Sequence, residues 1–153
     1  MLLHIPEVFT KAEVKALRER LDAGPWADGN MTSGHQSAMA KRNLQLPEES
    51  DVAREVSALV VQAPNANPMF GAAALPHTLF PPLFNRYEGG AEFGLHVDNA
   101  IRQQRGRGAV RIRSDLSATL FLSEPEDYDG GELVIQEMYG AQSIKLPAGG
   151  LGL

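Results

Sequence analysis

A change of hydrophobic period near Phe80 constrains this chain more than any other feature. Upstream of it, apolar residues recur at helical spacing. Thr10-Lys11-Ala12-Glu13 reads as a capping box with Phe9 and Val14 as its hydrophobic staple, and Val14, Leu17 and Leu21 continue on one face up to Gly24-Pro25. A second helix is expected to open at Pro47, with Glu48, Glu49 and Asp51 in its first turn and Val52, Val56, Leu59 and Val60 along one side. Asn67-Pro68-Met69-Phe70 opens a third, shorter one.

Downstream the period falls towards two. Leu116, Ala118, Leu120 and Leu122 alternate with Ser117, Thr119, Phe121 and Ser123, and a second run, Glu132 to Gln136, follows Tyr128-Asp129-Gly130-Gly131. Paired turn residues between two such runs signal a hairpin. A further short strand is expected over Gln142 to Leu146. Helices first and strands after point to an α+β domain, with the helices packed outside an antiparallel sheet or barrel.

A chain of 153 residues suits one domain, able to bury about two thirds of the surface its unfolded form exposes. A net charge of -5 and a pI near 5.3 argue against the broad positive field that non-specific nucleic-acid binding needs. No cysteine is present, which removes disulfides, zinc thiolates and thiol nucleophiles together. The opening MLLHIPEVF lacks a basic flank and is broken by His4, Pro6 and Glu7, so neither a signal peptide nor a membrane span is expected, and a cytoplasmic location is the simplest reading.

His96-Val97-Asp98 is the candidate for chemistry. Two residues apart on a strand, His96 and Asp98 would share a face, with Val97 turned away. An imidazole beside a carboxylate suits a divalent first-row metal, and iron(II) in particular uses two histidines and one carboxylate with open positions for reactants. A solvent-facing strand end or turn would carry the same three residues.

The surrounding spacing, Tyr87 to Gly90 to Phe93 to His96 to Asp98, resembles the prolyl-4-hydroxylase-like branch of the iron(II)- and 2-oxoglutarate-dependent dioxygenases. Further motifs occur in order: Gln45-Leu46-Pro47, Phe84-Asn85-Arg86-Tyr87, the run Asp115 to Leu122, and Tyr128-Asp129-Gly130-Gly131-Glu132-Leu133. Together they resemble the bacterial PKHD-type hydroxylases, over nearly the whole chain.

The resemblance implies a double-stranded β-helix, or jelly roll. Residues 1–76 would form its N-terminal helical portion and 77–153 an incomplete core, the two making one structural domain. It also implies that His96 and Asp98 are catalytic metal ligands, the first histidine and the carboxylate of a facial triad. Tyr87 would face 2-oxoglutarate, although a core tyrosine with its hydroxyl at the surface reads identically. The implied reaction decarboxylates 2-oxoglutarate to succinate and hydroxylates a small molecule or a peptide side chain, with iron(II) as cofactor and L-ascorbate keeping it reduced. A link to iron homeostasis follows from the same likeness.

Such relatives run on from Leu146-Pro147-Ala148-Gly149 into a strand with a distal histidine and then an arginine for the far carboxylate of 2-oxoglutarate. Neither has a counterpart before Leu153. The chain is therefore expected to be C-terminally truncated, with the last jelly-roll strands missing, an uncovered sheet edge open to self-association, and weak metal binding. A non-catalytic remnant, serving as a weak metal-binding or interaction module, is the alternative function.

His4, His35 and His77 have no spacing that ties them to the pair and each reads first as a surface or core residue, His35, in a loop near the cavity mouth, being the least unsuited of them as a third ligand. Arg111 or Arg113 is a possible inward-facing partner for a carboxylate. The wider basic stretch Arg102, Arg105, Arg107, Arg111 and Arg113 reads as a solvated hairpin or as a steering surface for an acidic partner, with Gly106 and Gly108 suggesting a mobile tip. Lys41 to Gln45 reads either as the lining of a substrate entrance or as a plain surface strand.

Overall fold

The structure is a computed structural model and describes residues 2–32, 41–103 and 111–153. Among them the fold is α+β, with helices α1 (Lys11–Asp22), α2 (Asp51–Ala66) and α3 (Pro68–Ala74) and twelve short strands. The strands are β1 (His4–Ile5), β2 (Ala27–Asp28), β3 (Lys41–Arg42), β4 (Leu44–Gln45), β5 (Asn85–Arg86) and β6 (Glu92–Phe93), followed by β7 (Ile101–Gln103), β8 (Arg111–Arg113), β9 (Thr119–Leu120), β10 (Leu133–Glu137), β11 (Gly140–Ile144) and β12 (Leu151–Gly152).

Helix α1 begins as its sequence requires. The Thr10 hydroxyl accepts from the Glu13 backbone N–H at 3.3 Å, and the Glu13 carboxylate accepts from the Thr10 N–H at 2.8 Å, so two otherwise orphaned donors are satisfied. Val14, Leu17 and Leu21 are buried along one face, with Phe9 beside them. Helix α2 starts later than Pro47. Pro47 to Ser50 form a turn, and Ser50 caps the helix by accepting from the Ala53 N–H, a local bond that an acidic first turn alone does not provide. Val56 and Val60 are buried on its inner side while Leu59 faces solvent, which corrects the expected stripe. At roughly 1.5–3 kcal/mol for each fully buried aliphatic side chain, this α1–α2 layer supplies much of the core. Asn67 then caps α3, accepting from Met69 and Phe70, with Pro68 at the first helical position.

The strands build several small antiparallel sheets: β1-β12-β9, β2-β4-β5, β3-β6, β7-β8 and β10-β11. No closed barrel forms among the described residues. The expectation of helices first and strands after does not hold. β1 pairs with β12, β4 with β5 and β3 with β6, so the first part of the chain contributes strands to sheets completed by the second.

The hairpin expected across Gly130-Gly131 is also replaced. β10 pairs with β11 around Met138-Tyr139, and of the 116–122 run only Thr119–Leu120 pairs, with β12. Both glycines do take positive φ, 65° and 69°, but they turn the chain out of a short 3-10 segment at Pro125–Asp127 and not between paired strands.

The stretch Leu146 to Gly149 is clamped to the start of α1. Lys11 Nζ donates to the Ala148 carbonyl at 3.0 Å and pairs with Glu124, whose carboxylate accepts from the Ala148 N–H at 3.1 Å. Gly149 sits at φ 92°, and a Cβ there would lie 2.1 Å from the Phe9 carbonyl oxygen, so only glycine fits.

Alternation along β3 and β4 sorts their side chains. Lys41, Asn43 and Gln45 are buried, and they are the buried polar or charged residues among the described ones. Paired residues share a face, so Phe93 opposite Lys41 and Asn85 opposite Gln45 lie on the same side of their strands, Phe93 half-buried and Asn85 exposed. The segment is therefore not a plain surface strand. Arg42, Leu44 and Arg86 project the other way, where with Asp28 and Glu88 they line an open cleft of about 460 Å³.

Candidate metal centre

His96 and Asp98 lie between β6 and β7 in a segment without strand pairing. The strand argument therefore does not account for their meeting, yet the alternation survives locally: Val97 is 92% exposed, and the His96 Nε2 lies 3.4 Å from Asp98 Oδ1.

Two contacts set the imidazole. Its Nδ1 lies 2.8 Å from the Gly94 carbonyl oxygen. A carbonyl can only accept, so this bond requires the proton on Nδ1, and in the neutral tautomer the Nε2 lone pair then faces Asp98. The Phe93 ring stacks on the imidazole, with centroids 3.6 Å apart and planes 11° apart. Fixing tautomer and ring plane through the second nitrogen is the usual support of a metal-binding histidine.

The donor chemistry suits a cation. A neutral Nε2 and a carboxylate oxygen are both electron-rich, and placed face to face they need a proton or a metal between them. Ligand atoms each about 2.1 Å from one first-row divalent ion lie roughly 3.0 to 3.4 Å apart, from octahedral to tetrahedral angles. The observed 3.4 Å falls at the upper end of that range. His96 and Asp98 thus fit as two protein ligands. Among the described residues no third histidine, aspartate, glutamate or cysteine joins them. His4 is in β1 and exposed His77 follows α3, whereas His35 lies outside the described residues.

Tyr87 follows β5 directly and stands two residues on from Asn85. The residue is 46% exposed; partial burial pushes its pKa above the ordinary tyrosine value, and a hydrogen bond with the Asn43 side chain pulls part of the way back. Asn43 donates through its Nδ2 to Asn85 Oδ1 at 3.1 Å, while its own Oδ1 is buried against Gly29 with no hydrogen-bond partner among the described residues. Lys41 donates to the Gly29 carbonyl and to Gln45 Oε1, both at 3.0 Å, and its ammonium lies 5.5 Å from the centroid of Phe93. One aromatic ring therefore touches both the buried cation and the candidate metal ligand.

The arginines distribute differently from the expectation. Arg111 and Arg113 are both exposed, and Arg113 pairs with Asp115 at 2.8 Å. Neither turns inward; Arg102 does. It is paired with Ile112, is half-buried, and places its guanidinium 4.9 Å from the centroid of Phe80. Only the register of the β7–β8 pairing separates it from its neighbours, and composition carries no such signal. Arg105, Arg107, Gly106 and Gly108 lie outside the described residues. Among the described residues no helix is long and apolar enough to cross a membrane.

No family model matches the chain. Individual proteins do match it along nearly all of its length. A PKHD-type hydroxylase of Xanthomonas campestris pv. campestris (strain B100) is 63% identical over 152 residues, which is 99% of this chain and 67% of that protein. One from Phenylobacterium zucineum (strain HLK1) is 63% identical over 149 residues, 97% of this chain and 65% of the relative. One from Burkholderia cenocepacia (strain HI2424) is 61% identical over 153 residues, 100% and 67% respectively. The chain spans about two thirds of the length of the curated relatives it matches. Identity of this degree along nearly every residue, together with a histidine and a carboxylate that meet, assigns the chain to the PKHD-type hydroxylase family.

Proposed function

We propose that the chain carries part of the active centre of an iron(II)- and 2-oxoglutarate-dependent dioxygenase. In this reading its short antiparallel strands belong to a double-stranded β-helix. The observation that carries the proposal is the His96 Nε2 to Asp98 Oδ1 approach of 3.4 Å, with Nδ1 committed to the Gly94 carbonyl. Bound there, iron(II) would supply oxygen activation coupled to oxidative decarboxylation of 2-oxoglutarate, and hydroxylation of a small-molecule or peptide substrate would follow.

The chain's own residues do the positioning. His96 and Asp98 offer two adjacent donors of fixed orientation, and Phe93 and Gly94 hold the imidazole against rotation. Tyr87, whose hydroxyl meets the Asn43 side chain, would hydrogen-bond 2-oxoglutarate. The third ligand has to come from outside the described residues. L-ascorbate as a reductant, a cytoplasmic site of action, where thiol buffers favour reduced iron, and a contribution to iron homeostasis belong to the same proposal.

The test is succinate formation from 2-oxoglutarate under iron(II) and oxygen, comparing the chain with His96→Ala. More succinate from the native sequence is expected, and equal negligible yields contradict catalysis by this chain. One observation favours a second reading. With two ligands in place among the described residues, the chain would act as a weak metal-binding or interaction module, and that equal-yield result is what it predicts.

A further inference from the structure

Lys41 is the one charged residue that is buried among the described residues. An ammonium taken out of water costs free energy that a long apolar side chain in the same place would not. Its surroundings fix where it sits: Nζ donates to the Gly29 carbonyl and to Gln45 Oε1, both at 3.0 Å. Filling space does not call for a charge here.

Register shows what the charge meets. β3 and β6 form a two-stranded sheet in which Lys41 stands opposite Phe93, and Lys41 Nζ lies 5.5 Å from the centroid of that ring. A cation within about 6 Å of an aromatic centroid is attracted by the ring's π electrons, the more so where water is excluded. Phe93 is in turn the ring stacked on His96, with centroids 3.6 Å apart and planes 11° apart. Among the described residues β6 is two residues long and pairs with β3 alone. So short a ladder leaves the orientation of the ring to side-chain contacts.

We infer that Lys41 is a positioning residue of the candidate metal centre: anchored on Gly29 and Gln45, its ammonium holds the Phe93 ring and, through that ring, the plane of the His96 imidazole. Lys41 acts here through Phe93 and not on the metal. The consequence for metal binding rests on the reading of His96 as a ligand, whereas the holding of the ring does not and is measurable without metal.

The first test uses the metal-free chain at mildly alkaline pH, where histidines are neutral. Proton–carbon spectra of the histidine rings report the stack, because protons over the face of an aromatic ring shift upfield; loss of signals in His96→Ala assigns those of His96. Phe93→Leu should remove the upfield shift. Lys41→Met should move the His96 signals most of the way to the same place, and Lys41→Arg, which keeps the charge, should move them less. Thr10→Ala, which loosens the fold away from the site, should leave them unmoved. The second test measures manganese(II) affinity. Lys41→Met should weaken it about fivefold, and the same substitution in a Phe93→Leu background should change it by less than about twofold.

Unmoved His96 signals in Lys41→Met overturn the inference. So does an equal loss of affinity with and without Phe93. If the signals move as expected but the native chain and His96→Ala bind manganese(II) alike, the ring is held as inferred and the metal reading alone fails. Thermal melts establish that each variant folds, and if Lys41→Met does not, Lys41→Gln, which keeps a hydrogen-bond donor without the charge, carries both comparisons.

Discussion

Phe93 lies flat against His96, ring centroids 3.6 Å apart, on the side of the strand where Lys41 is also buried. The stack fixes the plane in which Nε2 can meet a metal, as a supporting group does in other metal sites. Phe93→Ala is therefore expected to weaken divalent-metal binding about tenfold or more, read by manganese(II) titration with electron paramagnetic detection. Unchanged affinity would show that the Gly94 carbonyl alone holds the ring.

Gly149→Ala should destabilise the fold strongly. The new Cβ would meet the Phe9 carbonyl oxygen at 2.1 Å in a backbone region closed to other residues, and this breaks the clamp between Gly149 and the start of α1. A loss of roughly 2 kcal/mol or more is expected from strain and misfit combined, measured by urea denaturation. A variant as stable as the native chain would mean that the Leu146 to Gly149 stretch is not held as described.

The cap of α1 gives a smaller effect. Thr10→Ala removes the hydroxyl that accepts from the Glu13 N–H, and about 1 kcal/mol should be lost. Restoring Ser at position 10 should recover most of it.

Two carboxylates set the response to acid. Hydrogen bonds from the Thr10 backbone and hydroxyl hold the Glu13 carboxyl below the ordinary glutamate value, and the Lys11 ammonium and the Ala148 N–H do the same for Glu124. A folded pKa below the unfolded one contributes stability that is present above the unfolded value and is lost as pH falls through the folded value. The urea midpoint should therefore drop between about pH 5 and about pH 3, and Glu124→Gln should flatten that drop. A midpoint that rises on acidification would contradict the sign.

Leu95, Val97, Ile101, Leu116, Met138 and Tyr139 are all more than half exposed, several at the edges of short sheets. Such a surface favours association through apolar contact and strand addition. Sedimentation is expected to show concentration-dependent self-association that Met138→Lys with Tyr139→Lys reduces. A monodisperse monomer at all concentrations would contradict it.

What was legible in the sequence follows from the range of the forces involved. The α1 capping box, its buried face and the Asn67-Pro68 start of α3 depend on residues within one or two turns, and all three stand as read. The start of α2 was misplaced because the Ser50 cap outweighs the pull of Pro47 and its acidic neighbours. The hairpin was misassigned for a different reason: Gly130-Gly131 carries the stronger turn signal, yet strand pairing with β11 follows the Met138-Tyr139 connection.

At the site, spacing brought out His96 and Asp98 but not what orients them, since the Gly94 bond and the Phe93 stack arise from the chain folding back on itself. For Lys41, Asn43 and Gln45 the sequence leaves a substrate-entrance lining and a plain surface strand equally open, because polarity alone does not separate a buried polar row from an exposed one. Arg102 was hidden among five arginines until register separated it.

Metal titration of the chain and two variants tests the account at its centre. Anaerobic iron(II), or manganese(II) as its redox-stable stand-in, should bind weakly at one site per chain, and both His96→Ala and Asp98→Ala should abolish that binding without shifting the thermal melt of the metal-free protein. Equal binding by the native chain and both variants would place the metal elsewhere and contradict the assignment of these two residues.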